Sequence, residues 1–145
     1  MMAEKILIMG LPGSGKTSLA RELKKLLEES NQTVSWLNAD AIRSKNNDWD
    51  FSIFGRIRQS ERMCDLANSS NDKYVICDFI APLPETRNNL NADWIIWMDT
   101  IVQGSYADTN DMFVVPETYD FRITEKDFKT WGNIISKHIL GNRIT

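Results

Sequence analysis

The sequence predicts a three-layer α/β domain, with a mostly parallel sheet of about five strands and helices on both faces. Three observations point there. Short apolar runs alternate with segments whose apolar residues recur at helical spacing. The first run ends in a glycine-rich turn that leads straight into a helical pattern. The chain has 145 residues, enough for a single domain spanning 1–145 with one sizeable core.

Taken in order, "EKILIMG" (4–10) reads as a buried strand ending at glycine. In "KTSLARELKKLLEES", Leu19, Leu23, Leu26 and Leu27 lie at helical spacing, with charged residues between them to face solvent. "TVSWLN" (33–38) is a second strand, followed by "AD" and a short helix "AIRSK". "NNDWDFS" (46–52) reads as a loop with two aromatic anchors. A helix is expected from Arg56 to about Asn68, with Ile57, Cys64 and Ala67 on its packed face. "KYVICDFIAP" (73–82) is the most strand-like run and stops where proline enters. "PETRNNL" suggests a short helix and "DWIIWMD" (93–99) a strand. Residues 100–118 read as a surface loop. "YDFRIT" (119–124) alternates like a last strand. Thr124 with Asp127 suggests a capping box, after which Phe128, Trp131, Ile135 and Ile139 form a helical stripe.

Hydrophobic residues make up 42% and charged residues 26%, a globular mix without a disordered or membrane signature. The longest apolar runs are too short to span a bilayer, and "MMAEK" lacks the pattern of a signal peptide. A soluble, cytoplasmic protein is expected. With 17 basic and 20 acidic residues the net charge is −3, which disfavours nucleic acid as a partner without excluding a local basic groove. Cys64 and Cys77 have no metal-ligand spacing and read as buried free thiols. The sequence is compatible with a dimer as with a monomer.

Gly10 to Thr17 fits G-x-x-x-x-G-K-S/T, and it lies between a strand and a helix as the motif requires. A P-loop NTPase fold follows. Gly10, Gly13 and Gly15 let the backbone turn so that successive N–H groups face phosphate oxygens, and the helix start adds its positive dipole end. Gly10, Leu11, Pro12, Gly13, Ser14, Gly15, Lys16, Thr17 and Ser18 form the expected nucleotide-binding set for ATP or GTP. Lys16 would reach the β and γ phosphates, and the Thr17 hydroxyl would take one Mg²⁺ position. The base-reading N/T-K-x-D motif of switch GTPases is absent. The paired acids of motor ATPases are missing too, since no second acid follows Asp78 in "VICDF". A small kinase remains.

Beyond the cradle, the chain resembles the adenylylsulfate (APS) kinase family. "LNADAIR" (37–43) resembles the family's "L-D-G-D-x-x-R" segment. "FSIFGRIRQSERMCDLA" (51–67) is similar to "F-S-x-x-D-R-x-x-N-I-R-R": Phe51, Ser52, Arg56 and Arg62 match, Gln59 stands for the asparagine, and Gly55 replaces the aspartate. "DFIAPLPETR" (78–87) resembles "F-I-S-P-x-x-x-x-R", with Ala81 in place of the serine. "MFVVPETYDFRIT" is similar to a late family segment. The resemblance covers residues 4 to about 124.

It implies ATP as co-substrate, Mg²⁺ as cofactor and a small hydroxyl-bearing acceptor, APS first. Asp40 would hold a Mg²⁺-bound water or accept the acceptor's proton, with a helix N-cap as the plain alternative. Lys16 and Asp40 are thus the implied catalytic pair. Arg43 and Arg56 would bind an anionic group of the acceptor, Phe51 and Phe79 would flank an aromatic one, and Gln59 and Ile80 complete that wall. Asp78 would polarise a Mg²⁺ water or cap the turn before Pro82. Arg87 would contact phosphate or form a surface salt bridge. His138 and the tryptophans Trp94, Trp97 and Trp131 are expected to pack. The family's basic lid after the strand at 93–99 is replaced here by "DTIVQGSYADTND", which has no lysine or arginine, three aspartates and only a faint G-x-Y at Gly104 to Tyr106. That change implies a more open acceptor cleft, able to admit a nucleotide sugar or a hydroxymethylated DNA base.

Overall fold

The computed structural model describes residues 3–104 and 106–141. Met1 and Met2 of "MMAEK", Ser105 inside the G-x-Y stretch, and residues 142–145 lie outside the described residues. In chain order the elements are β1 (Glu4–Met9), α1 (Lys16–Glu29), β2 (Val34–Asn38), α2 (Ala39–Asn46), α3 (Ile53–Asn68), β3 (Tyr74–Asp78), α4 (Pro84–Leu90), β4 (Trp94–Met98), α5 (Ala107–Met112), β5 (Phe121–Ile123) and α6 (Phe128–Gly141).

The five strands form one parallel sheet in the order β2-β3-β1-β4-β5. Parallel pairing requires a crossover between strands, and the helices supply it, so both sheet faces are covered. Alternation along β1 sorts the two cores. Ile6 and Ile8 pack with Leu19, Leu23 and Leu27 of α1 and Ile135 and Ile139 of α6. Leu7 and Met9 pack on the other face with Met63 of α3, Cys77 of β3 and Leu90 of α4. All five strands point their C-terminal ends the same way. Gly10, Asn38 and Asp78 therefore converge at one rim, where the chain leaves neighbouring strands toward opposite faces. Crevices of this kind bind ligands in open α/β sheets.

Several boundaries differ from the sequence reading, each for a local reason. α2 starts at Ala39 because Asn38 caps it, its side chain accepting from the Ala41 N–H at 3.0 Å; Asp40 sits in the first turn. Asp40 is therefore not the N-cap. α3 starts at Ile53, ahead of Arg56, because Ser52 accepts from the Gly55 N–H at 3.2 Å. Its buried face carries Arg56, Gln59, Ser60, Met63 and Ala67, whereas Ile57 and Cys64 are only half-buried. β3 ends at Asp78, short of Pro82, and β5 has three residues. A short helix, α5, stands inside the segment expected to be a loop. Ahead of α6, the Asp127 carboxylate accepts from the Thr130 N–H at 3.2 Å, so Asp127 takes the capping role expected of Thr124.

Both cysteines are free, and burial pushes the Cys77 thiol up to about 12, which keeps it protonated. His138 meets the rings of Trp94 and Phe121 edge-on at 5.7 and 5.4 Å, a packing role. No helix among the described residues is long and apolar enough to cross a membrane.

Candidate active site

The phosphate loop leaves β1 at Gly10 and enters α1 at Lys16. Gly13 and Gly15 adopt φ of 85° and 102°, a left-handed backbone that side chains disfavour. A Cβ on Gly15 would also come within 2.6 Å of the Phe128 ring. Gly15 occupies the N-cap of α1 and has no side chain to cap it, so the first N–H groups of a 14-residue helix are left for a ligand. Gly10, Leu11 and Ser14 are buried behind the loop face. The Ser14 hydroxyl has no hydrogen-bond partner among the described residues.

Lys16 donates to the Leu11 carbonyl at 3.0 Å. Burial lowers its pKa, opposed by the charges of Asp78 and Asp40. Asp78, at the end of β3, is 2% exposed, and its Oδ2 accepts from Thr17 Oγ1 at 3.1 Å, Asn38 Nδ2 at 3.0 Å and Trp36 Nε1 at 3.4 Å. Burial raises its pKa, with Asn38, Lys16, Thr17 and Trp36 pulling the other way. Thr17 and Asp78 thus present oxygen donors side by side. A cation such as Mg²⁺, bound by one or two protein oxygens and completed by phosphates and water, fits that pair. Among the described residues no cluster of three or more metal-ligating side chains occurs, and such a site does not need one.

Across the cavity the arrangement is different. Arg43 and Arg56, expected to be anion ligands, are 4% and 5% exposed. Arg43 Nη1 donates to the Asp48 and Asp50 carbonyls at 3.0 and 3.1 Å. Arg56 donates from Nε to the Phe51 carbonyl at 2.9 Å and from Nη2 to Thr109 Oγ1 at 2.8 Å. Both guanidiniums lie over the Phe51 ring, at 4.6 and 5.3 Å from its centroid. Each has five N–H donors, so binding the loop does not exhaust them. From outside, Asp48 accepts a fork from Arg58 at 2.8 and 2.9 Å and a third bond from Arg62 at 2.8 Å. These bonds hold the Asp48 carboxyl well below its ordinary range. Gly55 makes the close approach possible, since a Cβ there would fall 2.1 Å from the Asp50 carbonyl. This is a physical reason for glycine where the family pattern has aspartate.

One cavity of about 1240 Å³ joins the two sides. Of the expected residues it is lined by Pro12, Gly13, Gly15, Lys16, Thr17, Ser18 and Asp78 on the loop side, and also by Asp40, Arg43, Phe51, Arg56, Gln59, Phe79 and Ile80. Gln59 bridges α2 and α3, donating to the Ala39 carbonyl at 3.1 Å and accepting from Arg62 at 2.7 Å. Phe51 is half-exposed, whereas Phe79 is 6% exposed and shared with the core. Arg87, expected to contact phosphate or form a surface salt bridge, donates to the Ala81, Pro82 and Val114 carbonyls, lies over Phe113 and belongs to none of the ion pairs of the described residues. Burial lowers its pKa to about 10. Sequence reasoning missed Trp49, Asp108, Met112, Lys126 and Phe128, all of which line the cavity. The last two reach it from the turn before α6 and from its first residue, far along the chain and without a local motif.

A family model described as adenylylsulphate kinase matches residues 2–100, more than half of the chain. The chain belongs to the adenylylsulphate kinase family. The match stops where β4 ends, just as the cation-free segment begins. An adenylyl-sulfate kinase of Halothermothrix orenii is 30% identical over 113 residues, covering 68% of this chain and 61% of that protein. A probable adenylyl-sulfate kinase of Aeropyrum pernix is 34% identical over 84 residues, covering 56% and 46%. The aligned region therefore spans about half the length of these family members. Among solved structures, the Mycobacterium tuberculosis APS kinase CysC in complex with AMPPNP and APS has a TM-score of 0.78 at 19% identity, covering 96% of this chain and 98% of that one. A shikimate kinase of Acinetobacter baumannii, in complex with shikimate, has a TM-score of 0.66 at 18% identity, covering 99% and 96%. These likenesses establish the shared fold.

Proposed function

We propose that the protein is an ATP-dependent kinase that transfers the γ-phosphoryl group to a hydroxyl of a small nucleotide-like acceptor, with APS the first candidate. One observation carries this reading. A single cavity is lined by the phosphate loop and also by Asp40 and a half-exposed aromatic ring over which two guanidiniums lie. A phosphate site alone suits any P-loop protein, whereas an aromatic and cationic wall opposite it suits a second, nucleotide-like substrate. Membership of the adenylylsulphate kinase family makes APS the acceptor to test first.

Within this reading the loop N–H groups and Lys16 hold the triphosphate and meet the charge that develops during transfer. Thr17 and Asp78 would hold Mg²⁺, which supplies charge neutralisation between the phosphates. Asp40 is exposed in the first turn of α2. It takes the proton of the attacking hydroxyl, or orients that hydroxyl for attack. Phe51 and Phe79 stack the acceptor's ring, and the spare donors of Arg43 and Arg56 take its anionic group, so that the hydroxyl is held in line with the γ-phosphate.

The test is transfer of label from γ-labelled ATP in the presence of Mg²⁺ to a panel of alcohols headed by APS. Label on APS supports the full reading. Label on a nucleotide sugar or a hydroxymethylated base, but not on APS, keeps the reaction class and replaces the acceptor. No labelled product from any alcohol leaves a nucleotide-binding module.

A further inference from the structure

Among the described residues four cationic side chains line the cavity: Lys16, Arg43, Arg56 and Lys126. Arg43 and Arg56 are held on the acceptor side by loop carbonyls and by Thr109. That leaves Lys16 and Lys126 on the side of the phosphate loop. Residues 100–118, which border the cavity through α5, contain no lysine or arginine. A triphosphate carries more negative charge than one lysine and one Mg²⁺ neutralise, so a further cation beside the loop has a clear use.

Lys126 is placed for that use. Its Nζ donates to the Gly13 carbonyl at 2.9 Å, across 113 residues of sequence. Two residues on, the Phe128 ring sits against Gly15, so the turn that carries Lys126 is seated on the phosphate loop at two points. Lys126 is exposed, and it belongs to none of the ion pairs of the described residues. Its sequence neighbour Asp127 is turned away to cap α6. An ammonium has three donors, and the bond to Gly13 uses one. The others point to a partner more strongly bound than a neutral carbonyl, and a phosphate oxygen is such a partner.

We propose that Lys126 is a second phosphate-binding cation, acting with Lys16 on the β and γ phosphates of the bound nucleotide. The inference rests on the ATP-binding part of the proposed function and not on the acceptor. It also assigns a role to a residue that a purely structural account would treat as a tether between the α6 turn and the loop.

Calorimetric titration of the whole chain with Mg²⁺-ATP and, separately, with AMP tests it in the parent, Lys126→Met and Lys126→Arg. The methionine variant is expected to bind ATP about 10-fold more weakly and AMP within about 2-fold of the parent, while arginine stays within about 3-fold for both. Equal ATP affinity in the parent and Lys126→Met overturns the proposal. So does an equal loss of ATP and AMP accompanied by a lower melting temperature, which is the signature of a tether. Because binding is read without transfer, a parent that binds ATP but phosphorylates no alcohol removes the kinase reading and leaves this one intact.

Discussion

On the phosphate-loop side of the cavity the groups proposed to hold the nucleotide belong to the main chain: N–H groups of a glycine turn and of the first turn of α1, with one lysine and one threonine added. On the acceptor side they belong to side chains. Four arginines, 43, 56, 58 and 62, hold residues 48–51 through carbonyls and carboxylates, and that loop presents Trp49 and Phe51 to the cavity. The first construction is set by backbone geometry and tolerates little change. The second can be retuned by exchanging single side chains, so under the proposed function the acceptor would be the variable partner and the phosphate the fixed one.

The largest effect expected is at the fixed end. Lys16→Met removes the cation that meets the transferred charge, and transfer should fall by about 10²–10³-fold or more while the protein stays folded. Steady-state rates and circular dichroism together check it. A mild effect would mean that the loop amides and Lys126 suffice, and the division between the two sides would weaken.

Asp78→Asn comes next and separates function from stability. Transfer should drop by about 100-fold because one of the two oxygens proposed to hold Mg²⁺ loses its charge. Stability should behave in the opposite way. Burial holds the Asp78 pKa above its ordinary 3.8, so the folded state binds this proton more tightly than the unfolded state. The contribution of Asp78 to stability therefore falls as pH rises from 3.8 through the raised value. At pH 7 the variant should melt at or above the parent temperature, with the gap closing as the pH is lowered toward 3.8. Melting curves across pH decide this.

The phosphate side was legible in the sequence because strand, glycine turn and helix are local patterns. The sheet was legible for the same reason, since the short apolar run of β1 and the leucine spacing of α1 each need only a few neighbouring residues. The acceptor side was legible in composition but not in arrangement. Arg43, Arg56 and Gln59, expected to bind the acceptor, all line the cavity, yet their main bonds are to carbonyls that no sequence pattern points to. The packed face of α3 differs from the expected one because part of it is polar: Arg56 and Gln59 are buried against the cavity and its loop, and Ser60 is buried against α4, where its hydroxyl accepts from Asn89. α5 escaped because "ADTNDM" is short and polar, and Lys126 escaped because it reaches Gly13 across nearly the whole chain.

The smallest effect sharpens the acceptor side. Asp48→Asn loosens an exposed clasp of Arg58 and Arg62, which should raise the acceptor KM by about two- to fivefold and leave the ATP KM unchanged. High salt should reproduce part of the effect in the parent and little of it in the variant. An equal change in both KM values would show that the two sides are coupled.

The central claim is that one cavity serves two substrates, with Asp40 acting on the acceptor and not on the nucleotide. The most direct measurement follows label from γ-labelled ATP with Mg²⁺ and the preferred acceptor in the parent and in Asp40→Asn, alongside the ATP dissociation constant of each. The account predicts labelled acceptor from the parent, at least 10²-fold less from the variant, and ATP affinity unchanged within about 2-fold. Equal transfer by the two proteins, or a parent that yields only inorganic phosphate, would contradict it.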